Sequence, residues 1–398
     1  MRGSSLNEIP VCISILGRCA LRLPCGAYNL THAHYDSLNR IACGGGELIS
    51  TLSKDRKEKP EQGKLSLKCS KNVFTSIRNR LHGKISGYST EAEDKIISIA
   101  KEGRYSFVWL DQFTYGSTVR KLKREIPSLP VFVFYHTVAT PFITRMRHMP
   151  LTLRYMPFIL EYPLRIWDEI LRRNNEKLSA QNSDANIILN DRDGSLFKKR
   201  YGFEADMTLP ICLADKAHIA PVRQSSDEFN MLFVGGALHR PNLDGIRWFV
   251  VNVMPRLDSC AVLYLAGSTI DLLRNDKDFS GNDRIRILGR VENLDDIYNM
   301  TDLVIAPIFF GGGMMTKVAE ALMYGKHFLA TTHALNGYEG LDDYRCDTAD
   351  EFAEKINRLI ASGTERYIPE LRKIYDEKYS LDAMTEMLRK FLSDRNII

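Results

Sequence analysis

The stretch Leu303–Thr331, LVIAPIFFGGGMMTKVAEALMYGKHFLAT, reads as a strand, a glycine turn, a helix and a second strand in one continuous run. Leu303–Ala306 is an apolar, partly β-branched run of the kind that parallel sheets bury on both faces, and Pro307 closes it. Gly311, Gly312 and Gly313 then turn the chain. A helix is predicted from about Met314, and Val318, Ala319, Ala321 and Leu322 mark it as mostly buried. The first amides of a helix lack partners within it, and its dipole adds positive potential. The turn therefore predicts an anion site suited to a diphosphate. Lys317 falls in the first turn, placed to neutralise phosphate charge, and Glu320 lies three residues on along the same face. On an exposed surface that pair would be worth only a few tenths of a kcal/mol. On a buried helix a carboxylate needs a specific partner, such as the hydroxyls of a ribose.

The same rhythm opens at Met231 with MLFVGGALHRPNLDGIRWFVVNVMPRL. A strand ends at Val234, Gly235-Gly236 turn sharply, and Ile246, Phe249, Val250 and Val253 follow at helical spacing. Alone, this piece fits a tight strand-to-helix turn as well as a ligand site. Neither glycine turn is a P-loop, because Gly-Lys-Ser/Thr is missing, and neither is a GxGxxG dinucleotide fingerprint.

Outward from these segments, short apolar runs alternate with helical patterns through the whole chain. They are Val11–Leu16, Tyr105–Leu110, Val131–Tyr135 and Asn186–Leu189, then Asn230–Val234, Ala261–Ala266, Ile285–Leu288, Leu303–Ala306 and His327–Ala330. Such alternation predicts βαβ units and an α/β fold of two doubly wound domains, which 398 residues accommodate. Lys54–Lys64 (KDRKEKPEQGK) reads as a charged surface loop. The expected division is a first domain over 1–213, a linker over 214–229, a second domain over 230–379 and a final amphipathic helix within 380–398. In that last helix Leu381, Met384, Leu388 and Phe391 share a face.

Bulk properties narrow the function. A net charge of +5 is too small to argue for nucleic acid without a concentrated basic stripe. The eight cysteines form no CxxC pair, which argues against a zinc site and favours free thiols in a reducing cytoplasm. No run reaches the eighteen or so apolar residues that span a bilayer, and the start does not read as a signal peptide. The expected location is cytoplasmic, with possible contact at the inner face of a membrane through residues 141–173. That segment carries six arginines interleaved with methionines and aromatics. A helix pair with one solvated basic face is the plainer reading of the same residues.

Taken together, Phe233-Val-Gly-Gly with Pro241-Asn242 and Trp248-Phe249, Leu288-Gly-Arg-Val-Glu-Asn-Leu, Pro307 through Gly325, and Ala330-Thr-Thr with Gly337-Tyr-Glu-Gly340 resemble the nucleotide-binding domain of GT-B glycosyltransferases. The resemblance is closest to the retaining family 4 type. It implies two Rossmann-like doubly wound domains with a cleft between them and a C-terminal helix crossing back to the first. It also implies transfer of a sugar from a nucleoside diphosphate sugar, UDP- or GDP-linked, to a hydroxyl of a glycan or lipid-linked oligosaccharide, as in polysaccharide synthesis. Neither metal nor cofactor is implied. On the donor side it assigns Gly235, Gly236, Arg240, Arg290, Val291, Gly312, Gly313, Met314, Met315, Thr316, Lys317 and Glu320. Glu320 matches the second glutamate of the family's E-x7-E motif, whereas Gly312 stands in place of the first.

On the acceptor side the resemblance points to residues at strand ends. His136 follows VFVFY, Asp111 follows SFVWL, and Gly26 and Tyr28 lie in a loop after the first strand. His136 and Asp111 are the catalytic candidates, with a strand-end histidine and a helix cap as their plain structural readings. Two rival functions stand beside transfer: a sugar-nucleotide 2-epimerase of the same fold, and a non-catalytic partner subunit.

Overall fold

A computed structural model describes residues 12–16, 26–43, 47–53, 64–69, 73–84, 90–102, 105–138, 158–219, 227–363 and 365–398. The chain divides into two compact units, one drawn from Met1–Pro210 with Met384–Ile398, the other from Ile211–Ala383.

In the first unit the strands are β1 (Cys12–Leu16), β2 (Glu47–Ser53), β3 (Lys64–Cys69), β4 (Phe107–Leu110), β5 (Val131–Tyr135), β6 (Ala185–Ile188) and β7 (Met207–Thr208). They form a parallel sheet in the order β3-β2-β1-β4-β5-β6-β7. The helices are α1 (Gly26–Ile41), α2 (Val73–Leu81), α3 (Thr90–Ala100), α4 (Gly116–Glu125), α5 (Phe158–Asn182) and α6 (Asp191–Tyr201). Every residue of β4 and β5 is buried, which is why FVWL and VFVFY are apolar without alternation. Glu47–Ser53 and Lys64–Cys69 were not expected as strands. ELISTLS and KLSLKC interleave polar residues, and they sit at the sheet's edge side. Lys64, expected in the charged loop, begins β3, while 54–63 lie outside the described residues.

In the second unit β8 (Phe229–Val234), β9 (Ala261–Ala266), β10 (Ile285–Gly289), β11 (Leu303–Ala306) and β12 (His327–Ala330) form a parallel sheet ordered β10-β9-β8-β11-β12. Its helices are α7 (Arg240–Asn252), α8 (Leu294–Met300), α9 (Thr316–Met323), α10 (Ala349–Ser362) and α11 (Pro369–Ile374). Strand order reverses between β8 and β11, and ligands of open α/β sheets bind beyond the carboxyl ends at that point. Gly235-Gly236 leave β8 there, and the Gly311–Gly313 turn follows β11. Helix α7 is pressed against the same corner: a Cβ on Gly245 would lie 2.0 Å from the Pro307 carbonyl oxygen.

Helix α12 (Leu381–Ser393) returns to the first unit. Ser380 caps it, its hydroxyl accepting the Ala383 amide at 3.1 Å. Met384, Leu388 and Leu392 are fully buried, and the Phe391 ring meets Phe132 edge-on at 5.3 Å. Of the expected linker, residues 214–219 and 227–229 fall within the second unit, and 220–226 lie outside the described residues.

Candidate active site

The donor corner is built by α9 and what holds its first turn. The helix begins at Thr316, two residues later than its sequence pattern suggests, and no side chain caps it. Gly311 and Gly313 have φ of +136° and +75°, conformations that only glycine adopts at little cost. Tyr338 braces the turn, its hydroxyl donating to the Met315 carbonyl at 2.8 Å and accepting the Ala319 amide at 3.2 Å. The Met314 and Met315 side chains are buried, and the Met314 sulfur accepts the Ile211 amide at 3.4 Å, so their side chains serve packing. Thr316 and Gly313 are half-buried and Gly312 is exposed.

Lys317 is 5% exposed, and its amine donates to Asn242 Oδ1 at 2.8 Å while lying 4.7 Å from the Phe233 ring centroid. Burial pushes its pKa down to about 8, with a small opposing pull from Glu320. Glu320 accepts the Tyr298 hydroxyl at 3.2 Å. Burial raises its carboxyl to about 7 against that hydrogen bond and the charge of Lys317. The Tyr298 ring is itself fixed by stacking on Tyr324 at 4.1 Å. The lysine is thus bonded to Asn242, a residue with no role assigned to it from sequence. Asn242 also packs on the glycine turn: a Cβ on Gly235 would meet its side-chain nitrogen at 2.7 Å, and one on Gly236 would meet the Ser268 carbonyl at 2.9 Å. These glycines are required first by the protein's own packing.

The remaining donor-side candidates lie nearer the surface. Arg240 makes an exposed i,i+4 ion pair with Asp244 at 2.8 Å. Arg290 is exposed, and Val291 is half-buried.

In the first unit the strand-end candidates come together. Asp111, at the end of β4, has no exposure, and its Oδ2 lies 3.3 Å from His136 Nε2 at the end of β5. A third residue completes the cluster. His34, fully buried on α1, places Nδ1 2.5 Å from Asp111 Oδ1, and Trp109 Nε1 donates to the same oxygen at 3.3 Å. Burial would raise the Asp111 carboxyl, but the charges and hydrogen bonds of His34 and His136 outweigh it and hold it well below the usual carboxylate range. His136 is part-exposed at 17% of its side chain. The loop after it is anchored through Val138, whose amide is bonded by the buried Asp193.

His34 escaped the sequence reading, although Leu30, His34 and Leu38 occupy one helical face and a histidine in an apolar stripe was a visible signal. Gly26 and Tyr28 lie in the first turn of α1 and not in a loop, because the helix starts at Gly26. The side chain of Tyr28 lies outside the described residues.

Among the described residues no group of three His, Cys, Asp or Glu is placed to hold a metal ion, and no helix is long and apolar enough to cross a membrane. Of the arginine-rich segment 141–173, residues 141–157 lie outside the described residues. Arg172 and Arg173 are taken up by Glu169 at 2.7 and 3.0 Å, and Arg172 also reaches Glu176 at 3.1 Å.

Two parallel Rossmann-like sheets, each carrying its functional candidates at strand carboxyl ends, and a terminal helix that returns to the first, are the GT-B architecture. Residues 228–362 match the family model described as "Glycosyl transferases group 1". The chain is a glycosyltransferase, and it resembles the family 4 type. The structure of Anabaena HepE, solved with UDP and glucose, is similar at a TM-score of 0.65 and 14% identity over 97% of this chain and all of that one. A glycosyltransferase from Rickettsia africae is similar at 0.62 and 13% identity over 98% of this chain and 99% of that one. The lipopolysaccharide outer core galactosyltransferase WaaB, in its apo form, is similar at 0.62 and 12% identity over 96% and 99% of the two chains. No curated protein matches.

Proposed function

We propose that the protein transfers a sugar, with retention of configuration and without a metal, from a UDP- or GDP-linked donor to a hydroxyl of a glycan or lipid-linked oligosaccharide in cell-surface polysaccharide synthesis. The observation that carries the donor side is Lys317, a buried amine in the uncapped first turn of α9 at the point where strand order reverses. A buried cation in the first turn of a helix, where the dipole is positive, is a preorganised partner for a leaving diphosphate. HepE's complex with UDP supports this class of donor, and the likeness to WaaB, a lipopolysaccharide outer core galactosyltransferase, supports a glycan acceptor. Glu320 is suited to accept the ribose hydroxyls, held for that purpose by Tyr298.

In the reaction the bond from the anomeric carbon to the diphosphate breaks and the acceptor oxygen bonds to that carbon, while the acceptor proton passes to the departing phosphate oxygen. His136 takes part by holding an acceptor hydroxyl. Asp111 is ionised, so the His136 nitrogen facing it, Nε2, carries a hydrogen, and Nδ1 is turned away from the carboxylate. Asp111 has no exposure and acts only through its neighbours.

Thermal shift with UDP, GDP, ADP and dTDP tests the donor assignment. A diphosphate present at 100 times its dissociation constant stabilises by about 2.7 kcal/mol. Stabilisation by none of the four sinks the assignment. UDP-GlcNAc incubated without an acceptor should remain unepimerised.

A further inference from the structure

We propose that His34 is a positioning residue of the transfer reaction: it holds the Asp111 carboxylate by one oxygen so that the other fixes the tautomer and orientation of His136. The proposal rests on the reading of His136 given above, and deepens it.

The geometry is that of one carboxylate shared by two histidines. His34 Nδ1 and Trp109 Nε1 converge on Oδ1, at 2.5 and 3.3 Å, while His136 Nε2 faces Oδ2 at 3.3 Å. The His34 ring sits edge-on to Phe134 at 4.3 Å and to Trp109 at 5.5 Å, so its plane is set by packing. Its other nitrogen, Nε2, is buried and has no hydrogen-bond partner among the described residues. A buried unpaired nitrogen costs free energy that an apolar side chain of similar size would not incur. A purely structural position on α1 would be better served by leucine, and the ring is retained at that cost together with its bond to Asp111. The titratable groups facing His136 among the described residues are Asp111 from the end of β4 and His34 from α1, with Asp193 from α6 bonded to the Val138 amide two residues on.

A shared carboxylate also divides its effect. With His34 in place, one oxygen of Asp111 is occupied by a competing donor; without it the whole carboxylate charge would act on His136.

The experiment compares three substitutions by turnover, by the pH profile of kcat/KM and by NMR titration of the histidine rings, with His136→Ala identifying the signal. The amide nitrogen of asparagine falls near the place of Nδ1 and that of glutamine near the place of Nε2. His34→Asn is expected to keep turnover near that of the wild type, and His34→Gln to lose up to about 10²-fold, the scale on which misplacing a substrate-positioning group slows a reaction. Equal turnover in the two variants overturns the proposal. His34→Leu, if it folds, is expected to move both the acidic limb of the profile and the His136 titration to higher pH. An unchanged His136 titration in that folded variant also overturns it. If His136→Ala turns over like the wild type, the reading of His136 fails, yet the NMR titration in His34→Leu still decides whether His34 governs that ring.

Discussion

Replacing Lys317 by methionine is expected to have effects of opposite sign on binding and stability, and both magnitudes follow from its surroundings. A lysine whose pKa falls from 10.5 to about 8 on folding carries a penalty of about 3 kcal/mol while protonated. Because the folded value is the lower one, that penalty is fully present below pH 8 and fades as pH rises from 8 towards 10.5. At pH 7 methionine removes it and keeps the stem's packing. The variant loses the hydrogen bond to Asn242 at 2.8 Å and the Phe233 ring contact, together worth about 1–2 kcal/mol. The net expectation is a gain of about 1–2 kcal/mol, or a few degrees in melting temperature. Binding moves the other way. A charge-assisted contact to a diphosphate is worth about 1.5–3 kcal/mol, so UDP affinity should fall roughly 10- to 150-fold. Calorimetry with UDP and GDP at pH 7, beside thermal melts of both proteins, measures the two signs together. Unchanged nucleotide affinity with a lowered melting temperature would refute the reasoning, because it would make the lysine a structural bond and not a ligand group.

Three further expectations follow from the same geometry. The Glu320 carboxyl is raised from 4.5 to about 7, so its contribution to stability is present below pH 4.5 and lost as pH rises through 7; Glu320→Gln should abolish that loss. Melts at pH 5 and pH 8 check it, and an identical pH dependence in both proteins counts against the burial argument. Gly245→Ala drives a Cβ to 2.0 Å from the Pro307 carbonyl oxygen, a backbone atom, and should destabilise at or above the ~1–3 kcal/mol of overpacked sites. A urea midpoint equal to the wild type's would show that α7 can slide. EDTA should leave transfer unchanged, since Lys317 and helix amides are assigned the role a divalent ion plays elsewhere; a loss restored by magnesium would overturn that assignment.

How much of this was legible in the sequence depends on sequence distance. All five strands of the second unit could be read, because each is a compact apolar run bounded by a turn, and the glycines at 235–236 and 311–313 fall between strand and helix patterns. Strands β2 and β3 could not, since ELISTLS and KLSLKC mix serine, lysine and glutamate into their apolar residues and form no compact apolar run. Within the site, Lys317 and Glu320 were visible because one helix carries both. Asn242 was not assigned its bond to Lys317, which closes across 75 residues, nor could His34 be joined to Asp111 across 77. Local periodicity reports which face of an element is buried, and says nothing of what that face meets.

The two corners also differ in how their charges are held, and that difference assigns their work. Lys317 and Glu320 are both pushed towards neutrality by burial, to about 8 and about 7, and their attraction for each other does not offset it. Groups in that condition gain most from an arriving ligand: the amine gains from an anion, and the carboxylate from hydroxyl donors. Asp111 is the reverse, a deeply buried carboxylate whose charge is stabilised from both sides by histidines. A group held ionised that firmly has little tendency to take a proton at working pH, and with no exposure it cannot reach a sugar. Sequence alone left both Asp111 and His136 as candidates for proton chemistry. The electrostatics separate them: the aspartate is a fixed, buried charge, and the part-exposed histidine is the one proposed to meet the acceptor.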